Sequence, residues 1–194
     1  MKKHTIVDTE MRVLHPAARV NNYLSGSSEV ARKKIYEHPE FAVTTGKLSA
    51  EGQIRSMDEN GIQYGIISGL GWQDKAARDA NNQYVKMCVE SYPDRFRANY
   101  IVNPLDPVEA SREILSLDNS FVGVEIMNNY SGGRLDDFRL KPIIDAVIER
   151  NLLLKTYCAH SIQTLQGDTA YRLLGFLRNY PMLKVLAGHL GGLL

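Results

Sequence analysis

Short apolar runs alternate with amphipathic stretches along most of this chain, and the alternation is clearest after residue 45. A β-branched run, Thr5-Ile6-Val7, opens the sequence and predicts a strand. Ser49 is placed to cap a helix carrying Ile54 and Met57, which Asn60-Gly61 ends. Tyr64-Gly65-Ile66-Ile67-Ser68 reads as a second strand. A helix over residues 75–91 follows, with Ala77, Ala80, Tyr84, Met87 and Cys88 on one stripe and Pro93 as its stop. The third strand is predicted over 97–102. Asp106-Pro107 then supplies a cap and a first-turn proline for a helix ending near Leu117.

Residues 121–126, Phe-Val-Gly-Val-Glu-Ile, predict a fourth strand. The next helix carries Leu140, Ile143, Ile144, Val147 and Ile148 at the spacing of a single buried face. Residues 152–157 and 183–187 complete six strands, separated by a helix with Ala170, Leu173, Leu174 and Leu177. The polar segment from about residue 21 to 47 is longer than an ordinary connection and reads as a loop with a short helix.

Strands separated by helices imply right-handed crossovers and a parallel sheet covered by helices. Two α/β architectures fit: an open doubly wound sheet, or part of a TIM-type (β/α) barrel. A complete barrel takes about 250 residues and eight strands. The 194 residues here supply six, so a barrel would be incomplete, a single domain over residues 1–194.

Composition narrows the function classes. With 23 basic against 22 acidic residues the net charge is +1, which gives no electrostatic footprint for nucleic acid. No apolar run approaches a membrane span and no targeting segment is visible. Two cysteines, Cys88 and Cys158, make a weak disulfide framework, so a reducing, cytoplasmic home is expected. Gly69 and Gly71 lack the third glycine and acidic partner of a dinucleotide fingerprint.

Four segments resemble the amidohydrolase-related family of metal-dependent hydrolases and decarboxylases. They are residues 56–68; residues 82–103, with Tyr92-Pro93-Asp94-Arg95-Phe96 and Val102-Asn103-Pro104; residues 121–126 followed by Leu140-Lys141-Pro142-Ile143; and residues 180–192, ending Ala187-Gly188-His189-Leu190-Gly191-Gly192. Their order and spacing follow the family over most of the chain from residue 56. The resemblance implies a barrel rather than an open sheet. It implies hydrolysis of a C–N or lactone bond, or decarboxylation of an aromatic acid, at a divalent zinc or manganese ion.

In that family a histidine pair comes from the first strand end, one histidine each from strands five and six, and an aspartate from strand eight. Here Glu10 falls at the first histidine, and carboxylates at that place occur in the decarboxylase branch. Arg12 falls at the second and has no lone pair to give. Tyr157 stands at the fifth-strand histidine, while His189 conforms at the sixth. The resemblance thus makes Glu10 and His189 the metal ligands; His189 and Glu125 are the catalytic candidates, Glu125 also joining Arg12 and Lys155 in a polar network that holds a carboxylate substrate. Arg12, Lys155, Tyr157 and Trp72 would bind a small carboxylate substrate, Arg12 through its fork.

Blander readings stand beside these. Glu10 and Arg12, two apart on one side of a strand, form an ion pair at the barrel mouth, a reading favoured because Arg12 repels a cation. Glu125, inside an apolar strand, needs a partner, with Arg12 and Lys155 the candidates. Tyr157 reads as a packed aromatic, and Trp72 either floors an apolar pocket or covers the rim. His4, His15 and His38 lack companions at ligand spacing; His160 reads as a loop residue, beside which Cys158 is a remote nucleophile candidate. The competing functional reading is a barrel-derived binding or assembly module that has lost the metal.

Six strands of an eight-strand barrel would leave unpaired edges. A longer natural chain, a second copy forming a homo-oligomer, or a differently curled sheet would resolve this. The ending at Gly191-Gly192-Leu193-Leu194, without a helix after the last strand, favours the first.

Overall fold

The structure, a computed structural model, describes residues 4–19, 47–131, 134–158 and 170–191. The long polar segment before residue 47, with His38, and the residues around His160 lie outside the described residues. The chain forms two compact units, Met1–Asn99 and Tyr100–Leu194.

The first unit begins with β1 (Val7–Arg12), followed by a 3-10 turn (Pro16–Arg19), α1 (Ala50–Glu59), β2 (Tyr64–Ser68) and α2 (Lys75–Ser91). β3 (Phe96–Ile101) runs across the boundary between the units. β1 pairs in parallel with β2, and β2 with β3. The opening strand therefore starts at Val7, not at Thr5. Ile6 and Val7 are exposed, and pairing begins at Val7 opposite Tyr64.

The helices form where capping and apolar spacing agree. The Ser49 hydroxyl accepts from the Gly52 N–H at 3.0 Å, and the Asp74 carboxylate from the Ala77 N–H at 2.8 Å. On α2 the buried stripe is Ala77, Arg78, Asn81, Asn82, Val85, Cys88 and Val89. Met87, expected on that stripe, is exposed because it lies a quarter-turn off it.

One face of the β1–β3 strands is close-packed. A Cβ at Gly65 would collide with the Met11 sulfur and press on the Phe96 ring and the Met57 sulfur on α1. Met11, Gly65 and Phe96 thus point toward the helices. Alternation sends Arg12, Ser68 and Asn99 to the opposite face. Between Asp8 and Met11 the register slips against Gly65 and Ile67, a β-bulge braced by the Glu10 N–H donating to Asp8 at 2.8 Å. Such bulges re-aim strand-end side chains.

The second unit carries the end of β3, α3 (Pro107–Leu115), β4 (Phe121–Ile126), a helical turn (Asn128–Ser131), a 3-10 turn (Phe138–Leu140), α4 (Lys141–Glu149), β5 (Leu153–Thr156), α5 (Ala170–Asn179), β6 (Lys184–Ala187) and a 3-10 turn (Gly188–Gly191). Asp106 caps α3 as predicted, accepting from the Glu109 N–H at 3.1 Å. β4 pairs in parallel with β5, and β5 with β6. Val124, Ile126 and Leu154 join Ile114, Ile143, Ile144, Val147 and Phe176 in one apolar core, with Val185 and Ala187 packed against it. Glu125, Lys155 and Leu186 therefore lie on the strands' other face. On α5, Leu173 and Phe176 are buried, while Leu174, expected on the core stripe, faces solvent. Among the described residues no helix is long and apolar enough to cross a membrane.

Both cysteines are buried thiols outside any disulfide, and burial pushes the Cys88 thiol up to about 11. A thiol needs its thiolate to react. Folded protein treated with iodoacetamide at pH 8 is expected to stay unlabelled at Cys88 by intact mass, and to label fully in denaturant. Rapid labelling of the folded protein would contradict the packing described.

Candidate functional site

In the first unit the polar groups gather at the strands' C-terminal ends. Arg12 is the last residue of β1. Its Nη1 donates a short hydrogen bond to the Ser68 hydroxyl, and one of 3.3 Å to the Gly69 carbonyl. Its Nη2 lies 3.9 Å from a Glu10 carboxylate oxygen, with the Glu10 side chain 39% exposed. The Gln53 amide donates to the Arg12 carbonyl at 3.0 Å, tying α1 to this strand end. The ion pair expected between Glu10 and Arg12 is thus present.

The register sets Arg12 opposite Ser68 and Ile67 opposite Ala98. Carried one residue further, it sets Asn99 beside Ser68. Asn99 is 1% exposed, and among the described residues neither its Oδ1 nor its Nδ2 has a hydrogen-bond partner. Ser68 and Asn99 were not legible as site residues from spacing alone. The available signal was a polar residue at or near the end of each apolar strand.

Trp72 lies in the loop after β2, buried at 2% exposure. Its indole N–H donates to Asn81 Oδ1 at 3.3 Å, and the same Asn81 amide donates to the Val13 carbonyl at 3.1 Å.

In the second unit Glu125 and Lys155 are register partners on β4 and β5, with Nζ 3.7 Å from Oε1. Both are fully buried, at 0% and 1% exposure. Lys155, one of the two partners considered for Glu125, pairs with it. Tyr157, just past β5, meets the His189 ring edge-on, centroids 4.5 Å apart. His189 sits in the turn after β6 with φ at +51°, in the left-handed region, and is exposed.

The other candidates lie elsewhere. The His15 ring nitrogen accepts from the Ala17 N–H at 3.2 Å, and its ring packs against Tyr84. His4 is exposed, and Cys158 is buried.

A catalytic zinc takes about three protein ligands and an open position. Among the described residues no three His, Cys, Asp or Glu side chains come together. Glu10 belongs to the first unit and has a guanidinium beside it; His189 belongs to the second and has a phenol ring beside it. Among the described residues, Glu10 and His189 alone do not complete such a set.

Parallel strands in chain order, each followed by a helix or turn, with polar side chains collected at strand ends, match part of a TIM-type α/β barrel. The chain belongs to the Amidohydrolase family, whose sequence pattern it matches over residues 49–193. No curated protein matches the sequence. Among solved structures it is similar to 5-carboxyvanillate decarboxylase of Novosphingobium aromaticivorans, crystallised with manganese and 4-hydroxy-3-methoxy-5-nitrobenzoic acid. The TM-score is 0.77 and the identity 23%, over 97% of this chain and 66% of that one. It is also similar to 5-carboxyvanillate decarboxylase of Sphingomonas paucimobilis (TM-score 0.75, 19% identity, 97% and 68% covered). A third is 2,6-dihydroxybenzoate decarboxylase of Rhizobium (TM-score 0.70, 18% identity, 97% and 67% covered). The chain therefore spans about two thirds of the length of these structures. Its fold is the predicted one, an incomplete parallel (β/α) barrel, with six strands among the described residues.

Proposed function

We propose that the β1 strand end is a carboxylate-binding site, and that it holds a small aromatic acid through Arg12. The observation that carries this reading is the guanidinium at the last residue of β1, oriented by Ser68 and Gly69 and faced by the Glu10 carboxylate. A guanidinium fork matches a carboxylate, and a charge-assisted pair is stronger than a neutral one. Glu10 stands where a ligand carboxylate would. At 3.9 Å its hold is longer than a hydrogen bond. A pair this long, with its carboxylate exposed to solvent, contributes at most about 1 kcal/mol, so an incoming carboxylate at hydrogen-bonding distance displaces it at small cost. The aromatic class follows the similar structures, crystallised with 4-hydroxy-3-methoxy-5-nitrobenzoic acid in one case and 2,6-dihydroxybenzoate in another.

Benzoate titrated calorimetrically into the full chain tests this. Arg12→Met is expected to weaken binding roughly 10- to 100-fold, the range of a lost hydrogen bond to a charged group. Arg12→Lys, which keeps the charge and loses the fork, should fall between. Equal binding by wild type and Arg12→Met would remove the proposal.

A second reading keeps the family's chemistry: hydrolysis of a C–N or lactone bond, or decarboxylation of an aromatic acid. His189 favours it. An exposed imidazole held at positive φ is the kind of backbone outlier that collects at working sites. His189 would then be one ligand of a divalent zinc or manganese ion, with Tyr157 beside it. Metal analysis of protein purified without chelator separates the two. One equivalent of zinc or manganese, lost in His189→Ala, supports the second reading; metal-free protein that binds benzoate supports the first.

A further inference from the structure

We propose that a second copy of this chain docks on the second unit, each copy inserting Phe138 into a cavity of the other. None of the residues involved belongs to the Arg12 site.

The cavity lies between the 3-10 turn at Phe138–Leu140, the start of α4, and α5, and has a volume of about 260 Å³. Its floor is the apolar core: Leu140, Ile144 and Phe176 line it and are at most 5% exposed. A cavity of about 150 Å³ lined by such side chains already holds a benzene ring. Phe138 stands at the rim and is 85% exposed, more than any other large hydrophobic among the described residues, so its ring does not fill the cavity of its own chain.

A single exposed apolar residue needs no explanation. This one is held out on a fixed turn. The Asp137 carboxylate accepts from the Arg139 N–H at 2.9 Å and from its guanidinium at 2.5 Å, and the Leu140 N–H donates to the Asp137 carbonyl at 3.0 Å. An anchor ordered in this way loses little freedom on binding.

Gly175, in the interior of α5, lines the same cavity. Glycine there costs helix stability, and a Cβ would meet nothing within 4 Å among the described residues. Packing within the chain therefore does not call for glycine at this position. A bare helix surface instead lets a ring from outside approach α5 closely.

Charge points to a copy of the same chain as the partner. The charged lining residues are two carboxylates, Asp136 and Asp137, and two cations, Lys141 and Arg172. A balanced rim gives no purchase to a strongly acidic or basic partner, and it complements itself, cation against carboxylate across a two-fold axis. In such an interface one patch serves both copies, so a ring at the edge of its own cavity is placed for both insertions at once.

Sedimentation equilibrium of the full chain over a wide concentration range tests this. Wild type is expected to form a dimer that dissociates on dilution. Phe138→Ser removes the ring and Gly175→Leu fills the cavity. Each should weaken dimerisation about 100-fold or more, since a lost anchor counts twice across the axis. At concentrations where wild type is monomeric, neither variant should melt below it, because the ring is exposed and leucine suits a helix better than glycine. Mixed in equal amounts, the two variants should dimerise more tightly than either alone. The ring of Gly175→Leu still meets the open cavity of Phe138→Ser.

A wild type that stays monomeric at every concentration overturns the proposal. So does a dimer that survives both substitutions, which places the contact on another surface, such as a strand edge. A mixture no tighter than its components also overturns it. A lower melting temperature for monomeric Phe138→Ser would assign the ring to the packing of its own chain, with the same result.

Discussion

Lys155→Met is expected to lose about 3–5 kcal/mol of folding stability, the cost of removing one partner from a buried ion pair. The effect is large because both groups are fully buried and hold opposite charges beside one another. The carboxylate is fully buried, Lys155 is its register neighbour on β5, and the ammonium lies 3.7 Å from Oε1. Without the ammonium the carboxylate loses the opposite charge on β5 while it stays in a low-dielectric setting. Against a total stability of about 5–15 kcal/mol for an ordinary domain, this is a fifth or more. Urea unfolding measures it as a lower midpoint at unchanged slope.

A companion variant separates stranded charge from lost packing. Glu125→Gln combined with Lys155→Met removes both charges, and apolar or neutral replacement of a buried pair is often nearly neutral. The double variant is therefore expected to recover most of the loss. Recovery of none of it, or a loss below about 1 kcal/mol in Lys155→Met, would mean that the two groups do not compensate each other.

The sequence made parts of this molecule legible and hid others for identifiable reasons. β2, α2 and β4 form over the residues expected, because their apolar runs and stops agree with their caps. β1 was misplaced because its pattern is inverted. The apolar pair Ile6 and Val7 is exposed, whereas Asp8, Glu10 and Arg12 lie within the strand. A strand whose second face carries polar groups at its end does not read as apolar. Met87 and Leu174 show the converse, apolar residues that a stripe does not need.

The site followed the same division. Glu10 and Arg12 were readable as a pair because residues two apart share a strand face. Glu125 with Lys155, and Tyr157 with His189, depend on the register between β4, β5 and β6, which single-chain spacing leaves undetermined. Asn99 depends on the register between β2 and β3, and its unpaired amide is visible only once the surrounding side chains are placed.

The second large effect is expected at Trp72. Trp72→Ala should cost about 3–5 kcal/mol, the range for deleting a large buried aromatic side chain. The indole is 2% exposed, so nearly all of its surface is lost as contact. Its N–H also holds Asn81 Oδ1, and the Asn81 amide in turn holds the Val13 carbonyl just after β1. Removing the ring leaves that oxygen short of its donor as well as opening a cavity. Trp72→Phe fills much of the space and loses only the N–H, so it should cost about 1–2 kcal/mol, near one buried hydrogen bond. Its benzoate affinity should match wild type, since a ring this enclosed offers a ligand almost no surface. An alanine variant as stable as wild type would show that the loop after β2 does not depend on the ring. A phenylalanine variant that keeps its stability but binds benzoate tenfold more weakly would instead place the indole against the ligand.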